Sequence, residues 1–453
     1  MSFVSINPAT GERIGLHRTD TRNQMLETVA NAHTAFAEWR TLSFVVRAQQ
    51  LRQVARTMRK QRDELASLLT AEMGKPILQS RAEIEKSATV CDYYASHAAA
   101  MLAPQVPANG PRGARISFEP LGVVLAIMPW NFPFWQTFRA AAPALMAGNT
   151  FLLKPAPNTA GCGLAIERLF AALPYSNLLQ TLLVETSAVP ALIADQRVRA
   201  VTLTGSTRAG QAVAALAGAA MKPGVFELGG SDAYLILDDA DLALAASLCA
   251  QSRLINSGQS CIAAKRFIVV RSVKRKFEQR LVERFALNSV GDPADPATSV
   301  GPLARADLRD HLHRQVQQSM RRGAHCLAGG KSLPGPGFFY EPTILTDVQR
   351  GMPACDEELF GPVAAIIGVR DEAEAIKVAN STNYGLGAAI FSSHRRRAQR
   401  IAAQIEAGVV VINDFVRSDP ALPFGGVKQS GYGRELGEWG LRSFVNIKTI
   451  VSA

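Results

Sequence analysis

Cysteine is scarce in this chain of 453 residues. Six are present (Cys91, Cys162, Cys249, Cys261, Cys326, Cys355), widely scattered and with no CxxC pair. Such spacing excludes a disulfide framework, gives no metal-ligand cluster and implies a reducing compartment. Aromatic residues are also few, at 7 %. No basic stripe is flanked by them and no zinc-finger spacing occurs, so the net charge of +11 speaks for solubility and anionic small ligands, and nucleic acid is not an expected partner. No apolar run is long enough to span a membrane unbroken. From Pro120 to Leu153 the only charge is Arg139, but Pro129, Pro133 and Pro143, with Gly122 and Gly148, would interrupt a spanning helix repeatedly. Met1 to Gly15 lacks the apolar centre of a signal peptide. The expectation is a cytoplasmic protein without a membrane partner.

What is present suits two or three packed domains. Hydrophobic residues make up 47 % and charged residues 19 %, enough to bury substantial cores in a chain of this length. Residues 23–70 and 81–101 carry helical spacing of apolar positions. Residues 103–112 are broken by Pro104, Pro107, Gly110 and Pro111, and a strand-like stretch follows from Ala114 to Glu119. Apolar runs at 122–127, 150–153 and 200–203 read as buried strands, separated by helical tracts at 159–172 and 207–220. This alternation predicts a parallel sheet covered by helices. Phe226-Glu227-Leu228 closes the block at Gly229-Gly230, and a second α/β block runs from Ala233–Leu237 to about 430. Phe444 to Val451 alternates like a strand with no local partner; an edge of that kind needs covering by another region or subunit, so a homo-oligomer is expected.

Four segments carry candidate chemistry. In Asn256-Ser257-Gly258-Gln259-Ser260-Cys261, small residues ahead of a cysteine form a tight loop that presents the thiol to a cleft, where a positive or donor-rich setting would make it a nucleophile. Cys91, Cys162 and Cys249 lie in apolar helical stretches and read as small core residues. Glu227, at the end of an apolar strand, is either a base whose pKa burial raises or a carboxylate satisfied by nearby amides. Asn131, inside Pro129-Trp130-Asn131-Phe132-Pro133, is either a neutral donor to an oxyanion or a turn former. Thr204-Gly205-Ser206-Thr207-Arg208-Ala209-Gly210 follows a strand and opens a helix, offering free amides to a phosphate; it is not the GxGxxG fingerprint.

Together these segments resemble the aldehyde dehydrogenase superfamily over almost the whole chain. Leu153-Lys154-Pro155, Glu358-Leu359-Phe360-Gly361-Pro362, and Pro423-Phe424-Gly425-Gly426 through Gly433-Arg434-Glu435 agree in order and spacing. The resemblance implies an α/β fold in three parts: a discontinuous Rossmann-like cofactor domain (1–102 and 121–228), an α/β catalytic domain (229–429), and a small β oligomerisation flap (103–120 and 430–453). It implies that Cys261 attacks an aldehyde, that Asn131 and the Cys261 amide hold the oxyanion, and that Glu227 activates the water which releases the acid from a thioester. Trp130, Lys154, Gly205, Ser206, Gly210, Leu228, Glu358 and Phe360 fall where such proteins hold NAD or NADP, and Glu435 where a carboxylate stands near the active site. Pro157 occupies a position that is often a glutamate bonding the adenosine ribose. Its lack of charge leaves both cofactors open, with a slight lean to NAD.

Arg139 bears on the substrate. A buried guanidinium needs an anion, which is either an internal carboxylate or a ligand. By resemblance to the short bacterial succinate-semialdehyde dehydrogenase branch, Arg139 and Ser418 would grip the far carboxylate of the aldehyde beside Phe424. That branch often has a second arginine six residues before the nucleophile; here Ile255 stands there and Arg253 is out of register. The alternatives are another small aldehyde (glutarate semialdehyde or lactaldehyde), a CoA-acylating enzyme, which would not need Glu227, and a non-catalytic protein on the same scaffold.

Overall fold

A computed structural model describes residues 2–452. The chain opens with an antiparallel hairpin, β1 (Ser2–Ile6) and β2 (Arg13–Arg18), for which the amino-terminal sequence gave no strand signal. Helices Arg22–Trp39, Phe44–Lys60, Arg62–Met73 and Ile77–Met101 follow. Thr21 caps the first with a reciprocal capping box, and Ser43 caps the second. β3 (Ala114–Pro120) pairs antiparallel along its full length with the terminal β17 (Val445–Val451). One edge of the terminal strand is therefore covered within the chain, by a partner more than 300 residues distant in sequence, which local pattern could not supply.

The first large sheet contains β4 (Val123–Ile127), β5 (Thr150–Lys154), β6 (Leu179–Thr181), β7 (Val198–Thr204) and β8 (Gly224–Glu227), all parallel, plus the two-residue β16 (Gly431–Tyr432) antiparallel to β8. Its order is β16-β8-β7-β4-β5-β6. The chain steps outward from β4 to β6, then returns to the other side for β7 and β8. Strand order thus reverses between β4 and β7, which leaves a crevice at their carboxyl ends, where ligands bind in such sheets.

The second sheet is built from β9 (Ala233–Ile236), β10 (Arg266–Val270), β11 (His325–Ala328), β12 (Thr343–Thr346), β13 (Val363–Val369), β14 (Gly387–Phe391) and β15 (Val409–Ile412), in the order β11-β12-β13-β10-β9-β14-β15. Only β11 runs antiparallel. Every residue of β9 and β10 is buried, as expected for strands covered on both faces. The apolar tract after β4 forms helix Pro133–Met146, buried over all fourteen residues. Among the described residues no helix is long and apolar enough to cross a membrane. All six cysteines are unpaired.

Candidate active site

The cysteine loop lies between the end of helix Leu242–Leu254 and the start of β10. Asn256 and Ser257 both hold φ near +53°, and Gly258 follows at +76°. Three left-handed residues in a row are costly, so the loop must be pinned from outside. The Arg253 guanidinium donates to the Gly258 carbonyl. Ser257 Oγ accepts from the Gly301 amide at 2.9 Å and Gln259 Oε1 from the Ala304 amide at 2.8 Å. A Cβ at Gly258 would sit 2.2 Å from the Gly361 backbone, so the glycine is required both by φ and by close approach. Lys265 closes the loop: its Nζ donates to the Ser260 and Cys261 carbonyls at 3.0 and 2.7 Å and lies 3.5 Å from Glu358. Sequence reasoning gave Lys265 no role, because its acceptors are backbone carbonyls that leave no trace in composition.

Cys261 stands in the wall of two cavities at once. The larger, about 550 Å³, lies at the carboxyl ends of β4 and β7 and is lined by Trp130, Gly205, Ser206, Leu228, Glu358 and Phe360. Trp130 and Phe360 meet edge to face at 5.7 Å across it. Ser206 caps helix Thr207–Ala219, accepting from the Ala209 amide, so the first amides and dipole of a thirteen-residue helix face this space. These groups fit a dinucleotide. Tyr384 and Gln136 also line the cavity; neither stands in a motif that could have signalled it.

Lys154, Pro157 and Gly210 do not line that cavity. Lys154 is one strand across, its carbonyl accepting from the Met128 amide at 3.0 Å and its side chain buried; Pro157 begins the short turn beyond it. Gly210 faces Leu228, whose Cδ2 would be 2.4 Å from an added Cβ. The glycine serves close packing of helix Thr207–Ala219 against Leu228.

Asn131 is held from every side. Its carbonyl accepts from Lys75 Nζ and Asn256 Nδ2, each at 2.9 Å. Its Oδ1 accepts from Gln136 at 3.1 Å, and its Nδ2 donates to the Gln259 carbonyl at 3.0 Å. The second amide hydrogen is left for a ligand. Lys75 forms a buried ion pair with Glu83, whose carboxylate also accepts the Phe134 and Trp135 amides at the start of the following helix. The Asn131 turn is therefore fixed by an ion pair from a separate helical layer.

The smaller cavity, about 100 Å³, is lined by Lys86, Trp135, Arg139, Ile255, Ser418 and Phe424 besides Cys261. Arg139 reaches it over the Phe424 ring, 4.9 Å from the centroid. The guanidinium is nevertheless ion-paired with Glu435 and donates to Thr204 Oγ1 at 3.2 Å. The anion it needs is thus present within the chain, as the internal-carboxylate alternative required. Glu227 lines neither cavity. It is wholly buried beside Glu435, with neither carboxylate oxygen hydrogen-bonded. Burial, and then the charge of Glu435, push its pKa well above the ordinary carboxylate range, with Arg139 opposing. Gly425 makes room for it: a Cβ there would lie 2.6 Å from Glu227 Oε1. Burial pushes the Cys261 thiol up to about 12, against the lowering influence of Arg139 and Lys265, so the resting group is a thiol that must lose its proton to react.

The chain belongs to the aldehyde dehydrogenase family, whose model matches residues 1–450. It is 44 % identical over 449 residues, 99 % of this chain and 97 % of the relative, to an Escherichia coli (strain K12) protein named succinate semialdehyde dehydrogenase (NAD(P)+). It is 46 % identical over 451 residues, 99 % of both chains, to a Synechocystis protein named probable succinate-semialdehyde dehydrogenase (NADP+). Among solved structures, the succinic semialdehyde dehydrogenase of Streptococcus pyogenes in complex with NADP+ superposes with a TM-score of 0.96 at 38 % identity, covering 99 % of each chain.

Proposed function

We propose that this enzyme oxidises succinate semialdehyde to succinate with a nicotinamide dinucleotide. The observation that carries the reading is the position of Cys261, shared between a large cavity at the strand-order reversal and a small one whose far wall bears cationic side chains. Trp130, Ser206, Glu358 and Phe360 would hold the cofactor, which when bound supplies the hydride acceptor. Once its thiol proton has passed to solvent, Cys261 Sγ bonds to the aldehyde carbon; the oxygen that becomes negative is met by the free hydrogen of the Asn131 amide and the Cys261 N–H. Loss of hydride leaves the acyl group on sulfur as a thioester. Glu227 turns toward the thioester and, in its deprotonated form, takes a proton from the water that hydrolyses it. Glu435 with Arg139 keeps a second carboxylate behind it.

Both dinucleotides are accepted in this reading, because position 157 carries no carboxylate to repel a 2′-phosphate. A lean to NAD draws no support from relatives named for NADP+ or NAD(P)+. The working form is a homo-oligomer, a dimer or tetramer. Steady-state kinetics with succinate semialdehyde and butanal, each with NAD and NADP, test the substrate and cofactor together. The expected result is a kcat/KM at least tenfold higher for the carboxylated aldehyde, with turnover on either cofactor. Equal values for the two aldehydes would refute the substrate assignment.

A further inference from the structure

Lys265 stands immediately before β10, and its backbone is tied to both neighbours of that strand. Its N–H donates to the Asp232 carbonyl at 3.2 Å and its carbonyl accepts from the Ala365 amide at 3.1 Å. The side chain folds back under the nucleophile loop and is 1 % exposed. Its Nζ donates to the carbonyls of Ser260, Cys261 and Ala263 at 3.0, 2.7 and 3.3 Å. Three acceptors use all three protons of an ammonium, whereas a neutral amine has only two. The Glu358 carboxylate, 3.5 Å away, supplies the opposite charge that a buried cation requires. Burial lowers the pKa of this ammonium; Glu358 and Asp232 raise it, and Arg253 opposes them. The side chain lines neither cavity, so whatever it does for the reaction it does through the loop.

The Ser260 carbonyl and the Cys261 N–H belong to one peptide unit, which is trans and planar. In such a unit the two groups point in opposite directions. A donor fixed on the carbonyl oxygen therefore holds the N–H facing the other way. When that donor is charged it also draws electron density from the amide, and the N–H becomes a stronger donor in turn. The same ammonium holds the next peptide unit through the Cys261 carbonyl, so both planes that meet at the Cys261 Cα are tied to one atom. Among the described residues no backbone acceptor takes the Cys261 N–H. We infer that Lys265 is a positioning residue for the oxyanion: it orients and polarises the Cys261 N–H that meets the developing negative charge. The inference rests on the proposed mechanism, in which that N–H is one of the two oxyanion donors.

The experiment traps the acyl-enzyme and reads its carbonyl. Glu227→Gln, which stalls at the thioester in the proposed mechanism, is mixed with NADP and succinate semialdehyde bearing a heavy isotope at the aldehyde carbon. Isotope-difference infrared spectra then give the thioester C=O stretch. Adding Lys265→Met should move that band to higher wavenumber, because a weaker donor leaves the C=O bond stiffer. In the otherwise wild-type enzyme, Lys265→Met should slow single-turnover reduction of the cofactor by about tenfold or more, part of the loss that follows removal of a whole oxyanion donor. Kd for the dinucleotide should change far less. An unmoved band beside slowed turnover would make Lys265 only a brace of the loop and would overturn the inference. Should Lys265→Met fail to fold, Glu227→Gln with Asn131→Ala decides, since Lys265 is then intact and the Cys261 N–H is the remaining donor. Its band should still lie below that of the same thioester in an aprotic solvent, and a band at the solvent position would overturn the inference. No thioester band in Glu227→Gln, with steady turnover, would instead refute the proposed mechanism itself.

Discussion

Glu227, the proposed base, is stored where a charge is least welcome. Neither of its oxygens is hydrogen-bonded and its neighbour Glu435 is another carboxylate. A raised folded pKa means that the native state binds a proton which the unfolded chain releases above about 4.5. Stability therefore falls as pH rises from that value toward the folded one. Glu227→Gln removes this dependence without changing shape. The variant should gain in Tm over wild type, and the gain should be larger at pH 8 than at pH 5 by scanning calorimetry at both. Its kinetics should show one burst of NADH per subunit and then a stall, because acylation of Cys261 does not need the base and hydrolysis does. A pH-independent Tm difference would mean that no proton is held; full steady turnover would remove Glu227 from the hydrolytic step.

At the scale of elements, the reactive sulfur depends on a backbone that local sequence makes possible but does not stabilise. Gly258 has both a left-handed φ and a neighbour, Gly361, whose backbone would lie 2.2 Å from an added Cβ. Gly258→Ala should cost about 2 kcal/mol or more, since strain and a backbone clash add. It should lower Tm and change kcat more than Kd for the dinucleotide, as Cys261 is displaced while the strand ends proposed to bind cofactor stay in place. Unchanged kcat would show that the loop tolerates relaxation. The parallel strands and most helices were legible because buried β-branched runs and 3.6-residue spacing are local signals. So were Cys261, Asn131 and the Trp130–Phe360 walls, through motifs whose order is itself information. The β1–β2 hairpin was not, having no apolar alternation strong enough to mark it. Lys265 and the Lys75–Glu83 pair were also missed: each acts through a partner fixed only by tertiary packing. Arg139 shows the same limit from the other side. Its sequence setting demanded an anion, but only the fold shows Glu435, 296 positions later, beside it.

For the molecule as a whole, the two-stranded ribbon of β3 and β17 is the least self-sufficient part. A two-stranded sheet alone is marginal in water. This one exposes Ile447 and Val451 at 60 % and 57 % of their surface, and it is not hydrogen-bonded to either large sheet. Its exposed apolar face calls for a cover, and a second copy of the chain offers the same ribbon. Light scattering coupled to size exclusion should give a dimer or tetramer at micromolar concentration. Ile447→Lys with Val451→Lys should shift it toward monomer, while the cavities around Cys261, built from other elements, keep their shape. A wild-type monomer at that concentration would exclude assembly through the ribbon. A variant that stays oligomeric would place the contact elsewhere.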